Sequence, residues 1–168
     1  MLFRSLMIEL CAERMTGDAV QHFVSADMQW GLETEPAAKA AYEADSGTLL
    51  TACGFYLHPT IQYFGATPDA LVDDDAVFEC KCPRSTTHVA WMLEGKMPEQ
   101  HKPQVLAQLA CTGRNRAVFV SFDPRMPPKH QLFVVNWTPD RAELDAVEDA
   151  ARSFLAELDA MFKKVTES

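Results

Sequence analysis

Between Cys53 and Pro83 the chain abandons helical periodicity for short β-like runs broken by turn formers, and this stretch limits the fold more than any other. Cys53 to Leu57, Ala70 to Val72 and Val77 to Cys82 read as strands, and Asp73-Asp74-Asp75 supplies a tight turn between the last two. Helical patterns flank it. Leu2 to about Met15 carries Leu2, Leu6, Met7 and Leu10 along one stripe and stops at Gly17. A second helix runs from about Asp27 to Ala44, where Pro36 either starts a fresh turn behind a Thr34 cap or kinks the helix. Glu35, Lys39 and Tyr42 fall near one of its faces.

Thr86 to Leu93 and Gln100 to Thr112 read as helices, and Ala117 to Phe122 and Gln131 to Trp137 as strands. Thr138 and Pro139 cap a closing helix whose Leu144, Val147, Ala151, Phe154, Leu158 and Met161 form one apolar face to about Phe162. This order predicts an α/β fold with a mixed central sheet flanked by helices.

At 168 residues and 48% hydrophobic content, one globular domain with its own core is expected. No apolar run approaches the roughly 20 residues of a membrane span, and Arg4 and Glu9 interrupt the start, unlike a secretory leader. A cytoplasmic protein is expected, in the host cytoplasm if phage-encoded. The five cysteines are odd in number and mostly have apolar neighbours, which argues against a disulfide framework. Cys80 and Cys82 are expected to diverge to opposite faces and make poor zinc ligands, and His22, His58, His88, His101 and His130 lack ligand spacing. The net charge of −9 argues against a protein that merely coats nucleic acid, but basic residues cluster locally from Lys81 to Lys102 and from Arg114 to Lys129.

The chemistry concentrates in Gly65-Ala66-Thr67-Pro68-Asp69 and Glu79-Cys80-Lys81. Carboxylates such as Asp69 and Glu79 are hard oxygen ligands suited to Mg²⁺. Strand alternation puts Glu79 and Lys81 on one face, so an ammonium sits beside the metal position, where it can orient or help deprotonate water or stabilise developing charge. The Cys80 carbonyl, not its thiol, lies between them as a further ligand. An exposed Pro-Asp turn and a surface ion pair on an edge strand would explain each piece separately.

Together these residues match the PD-(D/E)xK arrangement, and the chain resembles the lambda exonuclease and YqaJ-like viral recombinase family. The resemblance runs through Trp30-Gly31 and Glu35, Tyr42-Glu43, Thr67-Pro68-Asp69-Ala70-Leu71, Phe78-Glu79-Cys80-Lys81-Cys82-Pro83, Gln104-Val105, Thr112 and Asp123-Pro124-Arg125-Met126, in the family's order. It implies a restriction-endonuclease-like core, Asp69 and Glu79 as metal ligands, Lys81 as the catalytic lysine, Glu35 near the metal and Gln104 beside the reacting phosphate or water. Gln104 and Gln108, four apart, share a helix face that points either to the sheet or to solvent. For Glu35 the alternative is an ordinary surface carboxylate. Thr67 stands where the family has a phosphate-binding serine, and position 87 is Thr where lambda-type enzymes have arginine, with Arg84 nearby. Arg125 either contacts phosphate or forms a salt bridge that holds its loop.

The implied activity is Mg²⁺- or Mn²⁺-dependent 5′ to 3′ digestion of double-stranded DNA ends in phage recombination. The implied partners are a single-strand annealing protein and other copies of the chain, as a trimer. The family's amino-terminal arm, with its Arg-x-Gly and Thr-Ala-Ser elements, is expected to be lacking. The alternatives are an endonuclease of the same superfamily and a truncated, non-catalytic DNA-binding subunit.

Overall fold

The computed structural model describes residues 2–21 and 23–167, and the side chain of Leu2 and all of His22 lie outside the described residues. Among the described residues five α-helices and seven strands follow in the order α1 (Leu2–Thr16), α2 (Ala26–Ser46), β1 (Leu50–Thr51), β2 (Tyr56–Leu57), β3 (Gly65–Ala66), β4 (Ala70–Val72), β5 (Ala76–Lys81), α3 (Ser85–Glu94), α4 (Lys102–Thr112), β6 (Arg116–Phe122), β7 (Leu132–Trp137) and α5 (Arg141–Thr166). The main sheet runs β1-β4-β5-β6-β7, and β2 and β3 form a separate hairpin. Among the described residues only β5 and β6 pair in parallel, Glu79 opposite Phe119 and Lys81 opposite Ser121. The expected mixed sheet flanked by helices is therefore present.

The central strands are covered on both sides, as a parallel pair requires. Ala76, Phe78 and Cys80 of β5, with Val118 and Val120 of β6, pack under Ala38 and Tyr42 of α2. Val77, Ala117 and Phe119 point the other way, against Trp91 of α3 and Val105 and Leu109 of α4. Because side chains alternate with period two, Glu79 and Lys81 inherit the α4 side of the sheet.

The structure corrects several local expectations. Helix α2 is unbroken through Pro36; Ser25 caps it by accepting the Met28 N–H, and Thr34 is buried within it. The missing proline donor falls on the turn carrying exposed Leu32, while Ala38 and Tyr42 anchor the next turns to the sheet. The stripe assigned to α1 is rotated: Met7 and Cys11 are buried against Leu158 of α5, and Leu6 faces solvent. The run from Cys53 is shorter than expected, with only Tyr56–Leu57 forming a strand, in the hairpin, while Leu50–Thr51, ahead of the run, joins the main sheet. A short 3-10 turn, Glu99–His101, precedes α4. Helix α5 is capped not by Thr138-Pro139 but by Asp140, in a reciprocal capping box with Glu143. Cys80 and Cys82 share a face, because residues two apart on an extended run must; Cys82 packs beside the cluster that buries Cys80.

Candidate active site

The strand pairing that joins β4 to β5 also assembles the site. Ala70 opposes Phe78, so continuing the antiparallel register one residue back brings Asp69 level with Glu79, where its side chain reaches the Cys80 backbone. The Asp69 N–H donates to the Phe78 carbonyl at 3.1 Å, and the Cys80 N–H donates to Asp69 Oδ2 at 2.8 Å. A turn and a strand separated by ten residues are thereby held in register.

Strand β5 is interior to the sheet, so the surface ion pair on an edge strand does not exist. Glu79 is 0% exposed, and its carboxylate is fully engaged. Lys81 Nζ donates to Oε1 at 2.5 Å, Gln104 Nε2 donates to Oε1 at 2.8 Å, and Gln108 Nε2 donates to Oε2 at 2.6 Å. The shared face of Gln104 and Gln108 therefore points to the sheet. Gln108 also donates to the Thr67 carbonyl at 3.2 Å.

Glu35 of α2 lines a small cleft with Asp69, Cys80 and Lys81, and it pairs with Lys39 at 2.6 Å. A larger cleft of about 500 Å³ opens on the other side of Lys81, between Trp30, Arg84, Trp91, His101 and Arg125. Arg84 is exposed and held by Asp27 at 2.9 Å. Arg125 is less free: Nε donates to Asp123 Oδ1 at 2.7 Å, Nη2 to the Pro83 carbonyl at 2.9 Å, and the guanidinium lies 4.7 Å from the centre of the Trp30 ring. Thr67 is exposed beside buried Pro68.

The charges interact strongly. Burial, then Glu79 and Glu35, push the Asp69 carboxyl up to about 6 against the Cys80 N–H and Lys81. Burial disfavours the Lys81 ammonium, but Glu79 and Asp69 outweigh it and hold its pKa above the usual value. Lys81 is thus a cation, not a ready base. Burial, aided by the charge of Lys81, drives His101 down to about 4 and leaves it neutral, stacked on Phe119 and edge-on to Trp91. Burial also pushes the Cys82 thiol up to about 11 and raises that of Cys80, so neither is a thiolate at neutral pH.

Sequence reasoning left Gln108 and His101 out of the site. Its position four residues after Gln104 was the available signal for Gln108. His101 had none, since its partners Trp91 and Phe119 come from elements brought together only by the fold.

Among the described residues no three His, Cys, Asp or Glu side chains converge closely enough to hold a metal ion. The donors at hand are the Asp69 and Glu79 carboxylates and backbone carbonyls, with protonated thiols and no nearby charged imidazole. That oxygen set fits a hard divalent cation, whose charge would relieve the carboxylate repulsion that raises Asp69.

The fold is that of an alkaline exonuclease. The structure superposes on the alkaline exonuclease LHK-Exo from Laribacter hongkongensis with a TM-score of 0.92 and 38% identity, covering 98% of this chain and 83% of that one. The structure of LHK-Exo in complex with dAMP matches equally well, at 39% identity and the same coverage. A phage related exonuclease from Haemophilus somnus 129PT shares the fold at a TM-score of 0.74 and 11% identity, covering 96% and 82% of the two chains. No curated protein is a significant match. Residues 4–115 match the YqaJ-like viral recombinase domain, and the chain belongs to that family.

Proposed function

We propose that this chain is a phage-type DNA exonuclease that hydrolyses phosphodiesters at double-stranded ends, 5′ to 3′, with Mg²⁺ or Mn²⁺. Family membership and the 38% identity to an alkaline exonuclease support the exonuclease class. The observation that carries the chemistry is the buried Glu79 carboxylate, pinned by Lys81 and Gln104 next to Asp69. A buried anion is costly unless paired, and here the pairing leaves negative charge in excess. Asp69, Glu79 and the Cys80 carbonyl would hold the cation, which neutralises phosphate charge and polarises the phosphoryl oxygen.

The residues of the chain supply the rest. Lys81, cationic and 2.5 Å from Glu79, is placed to stabilise negative charge developing on the phosphate and to donate a proton as that charge forms. Gln104, exposed and bonded to Glu79, can turn one amide proton toward the phosphate or the attacking water. Glu35 adds negative charge beside Asp69 and is balanced by Lys39. Arg84, on the wall of the larger cleft, and the Thr67 hydroxyl are the phosphate contacts, and Arg125 serves mainly to hold its loop. DNA ends are the substrate, and a trimer of this chain acting beside a single-strand annealing protein is the working assembly. Among the described residues no helix is long and apolar enough to cross a membrane.

The test compares Mg²⁺-dependent degradation of linear and covalently closed circular duplex DNA, the linear form bearing 5′-phosphoryl or 5′-hydroxyl ends, by the wild type and Lys81→Ala. Degradation confined to linear DNA, and reduced roughly 10²- to 10⁴-fold by the substitution, is expected. Cleavage of circles would replace this reading with an endonuclease, and no cleavage of either form would indicate a non-catalytic DNA-binding subunit.

A further inference from the structure

Glu79 is held by three donors of unequal permanence. Lys81, which lines the cleft, and Gln104 both reach Oε1; Gln104 is exposed and Lys81 partly so, and both are groups that substrate will compete for. Gln108 alone reaches Oε2 and is 1% exposed, so substrate cannot draw it away. Its amide orientation is fixed by chemistry: Nε2 faces two acceptors, Glu79 Oε2 and the Thr67 carbonyl, and a flipped amide would set oxygen against oxygen at both.

This arrangement has a cost. Gln108 Oε1 is buried without a hydrogen-bond partner, so its desolvation is not offset. The neighbours Val105 and Leu109 on α4 are apolar core residues, so a leucine at position 108 would suit the helix but leave Glu79 Oε2 bare. A lysine or arginine would satisfy Oε2 but cancel the negative charge that a cation needs. A carboxamide satisfies the oxygen and leaves the charge in place.

We propose that Gln108 is a positioning residue that fixes the rotation of the Glu79 carboxylate and its spacing from Asp69. One amide proton locks Oε2 and thereby turns Oε1 to the cleft. The other grips the carbonyl of Thr67, two residues before Asp69, so the turn carrying one carboxylate and the strand carrying the other share a single clamp on α4. The inference rests on the metal-dependent reading above and extends it to a residue that touches neither substrate nor cation.

The test measures Mn²⁺ binding by titration calorimetry, kcat and KM on linear duplex DNA, and the thermal midpoint for wild type, Gln108→Met and Gln108→His. Methionine keeps the length and removes the donors, whereas the histidine Nε2–H reaches about as far as the lost amide. Removing the support of a metal-binding carboxylate weakens metal affinity or activity by about 10- to 100-fold. Gln108→Met is expected to lose that much in both Mn²⁺ affinity and kcat, with the KM for DNA little changed, and Gln108→His is expected to recover most of it. A Gln108→Met protein that binds Mn²⁺ as wild type does, or that changes only in KM, overturns the proposal. If the methionine variant does not fold, the histidine variant decides, with retained Mn²⁺ affinity supporting the clamp and lost affinity overturning it. Wild type that binds Mn²⁺ yet leaves DNA intact would refute the exonuclease reading while the affinity comparison still judges Gln108; wild type that binds no Mn²⁺ overturns the clamp itself.

Discussion

Asp69 and Cys80 are joined by one hydrogen bond, from the Cys80 backbone N–H to Asp69 Oδ2 at 2.8 Å, and it sets the spacing of the whole site. The donor lies between the side chains of Glu79 and Lys81, so fixing Asp69 to it fixes Asp69 relative to both. The bond also stabilises the ionised carboxylate, yet burial and the neighbouring carboxylates still carry the pKa to about 6.

Asp69 therefore predicts a pH dependence with a definite sign. A carboxyl raised in the folded state favours the protonated protein, so its stabilising contribution is fully present below the ordinary carboxylate value near 4. It is lost as pH rises through about 6. The metal-free thermal midpoint should decline over that window, and Asp69→Asn should flatten the decline and raise the midpoint at pH 7. Mn²⁺ needs the ionised form, so its affinity should increase by about tenfold per pH unit below 6 and level off above it. Thermal melts and calorimetric titrations from about pH 4.5 to 8 check both halves.

Arg114 predicts a loss of stability remote from the chemistry. Its Nη1 lies within 3.1 Å of the carbonyls of Val72, Asp73 and Ala76, closing the hairpin turn in which Asp73 takes a left-handed φ of 47°. Hydrogen bonds from a charged donor are worth about 1.5–3 kcal/mol, so Arg114→Ala should destabilise the fold by about 2 kcal/mol. Urea unfolding monitored by tryptophan fluorescence measures it, and an unchanged midpoint would show that water replaces the guanidinium without loss.

Arg125 predicts which of its two sequence-level roles dominates. Burial opposes the Asp123 charge, but hydrogen bonds from Arg125 and Ser85 prevail and hold that carboxyl below its usual value. Arg125→Ala should therefore lower stability by about 2 kcal/mol at neutral pH, less than the roughly 3–5 of a fully buried pair because the arginine is partly exposed. A depressed carboxyl stabilises above its unfolded pKa near 4 and loses that contribution as pH falls, so the gap between the two proteins should narrow in acid. A raised KM for DNA with an unchanged thermal midpoint would instead make Arg125 a phosphate contact.

Elements with a repeating pattern are legible in the sequence alone. The α/β order, the Asp73–Asp75 turn, the limits of β4 and the shared face of Glu79 and Lys81 follow from periodicity and turn chemistry, which act over a few residues. Local rules fail where tertiary packing competes with them. Pro36 does not end α2, because Ala38 and Tyr42 bury the turns beyond it. Thr138-Pro139 loses the cap of α5 to Asp140, whose reciprocal bond with Glu143 satisfies two backbone donors at once.

What the sequence determined by itself was a set of residue types at short spacing: a carboxylate after a proline, another two residues before a lysine, and a glutamine pair one helical turn apart. What only the tertiary structure decided was which of these became a site. Burying β5 between β4 and β6 took Glu79 out of water, and an anion out of water must find donors. The fold supplies them from Lys81 on its own strand and from Gln104 and Gln108 on a helix that lies well beyond it in the chain. That dependence on long-range burial is why His101 could not be read from its neighbours in sequence, and why the sequence left open whether the face shared by Gln104 and Gln108 points to the sheet or to solvent.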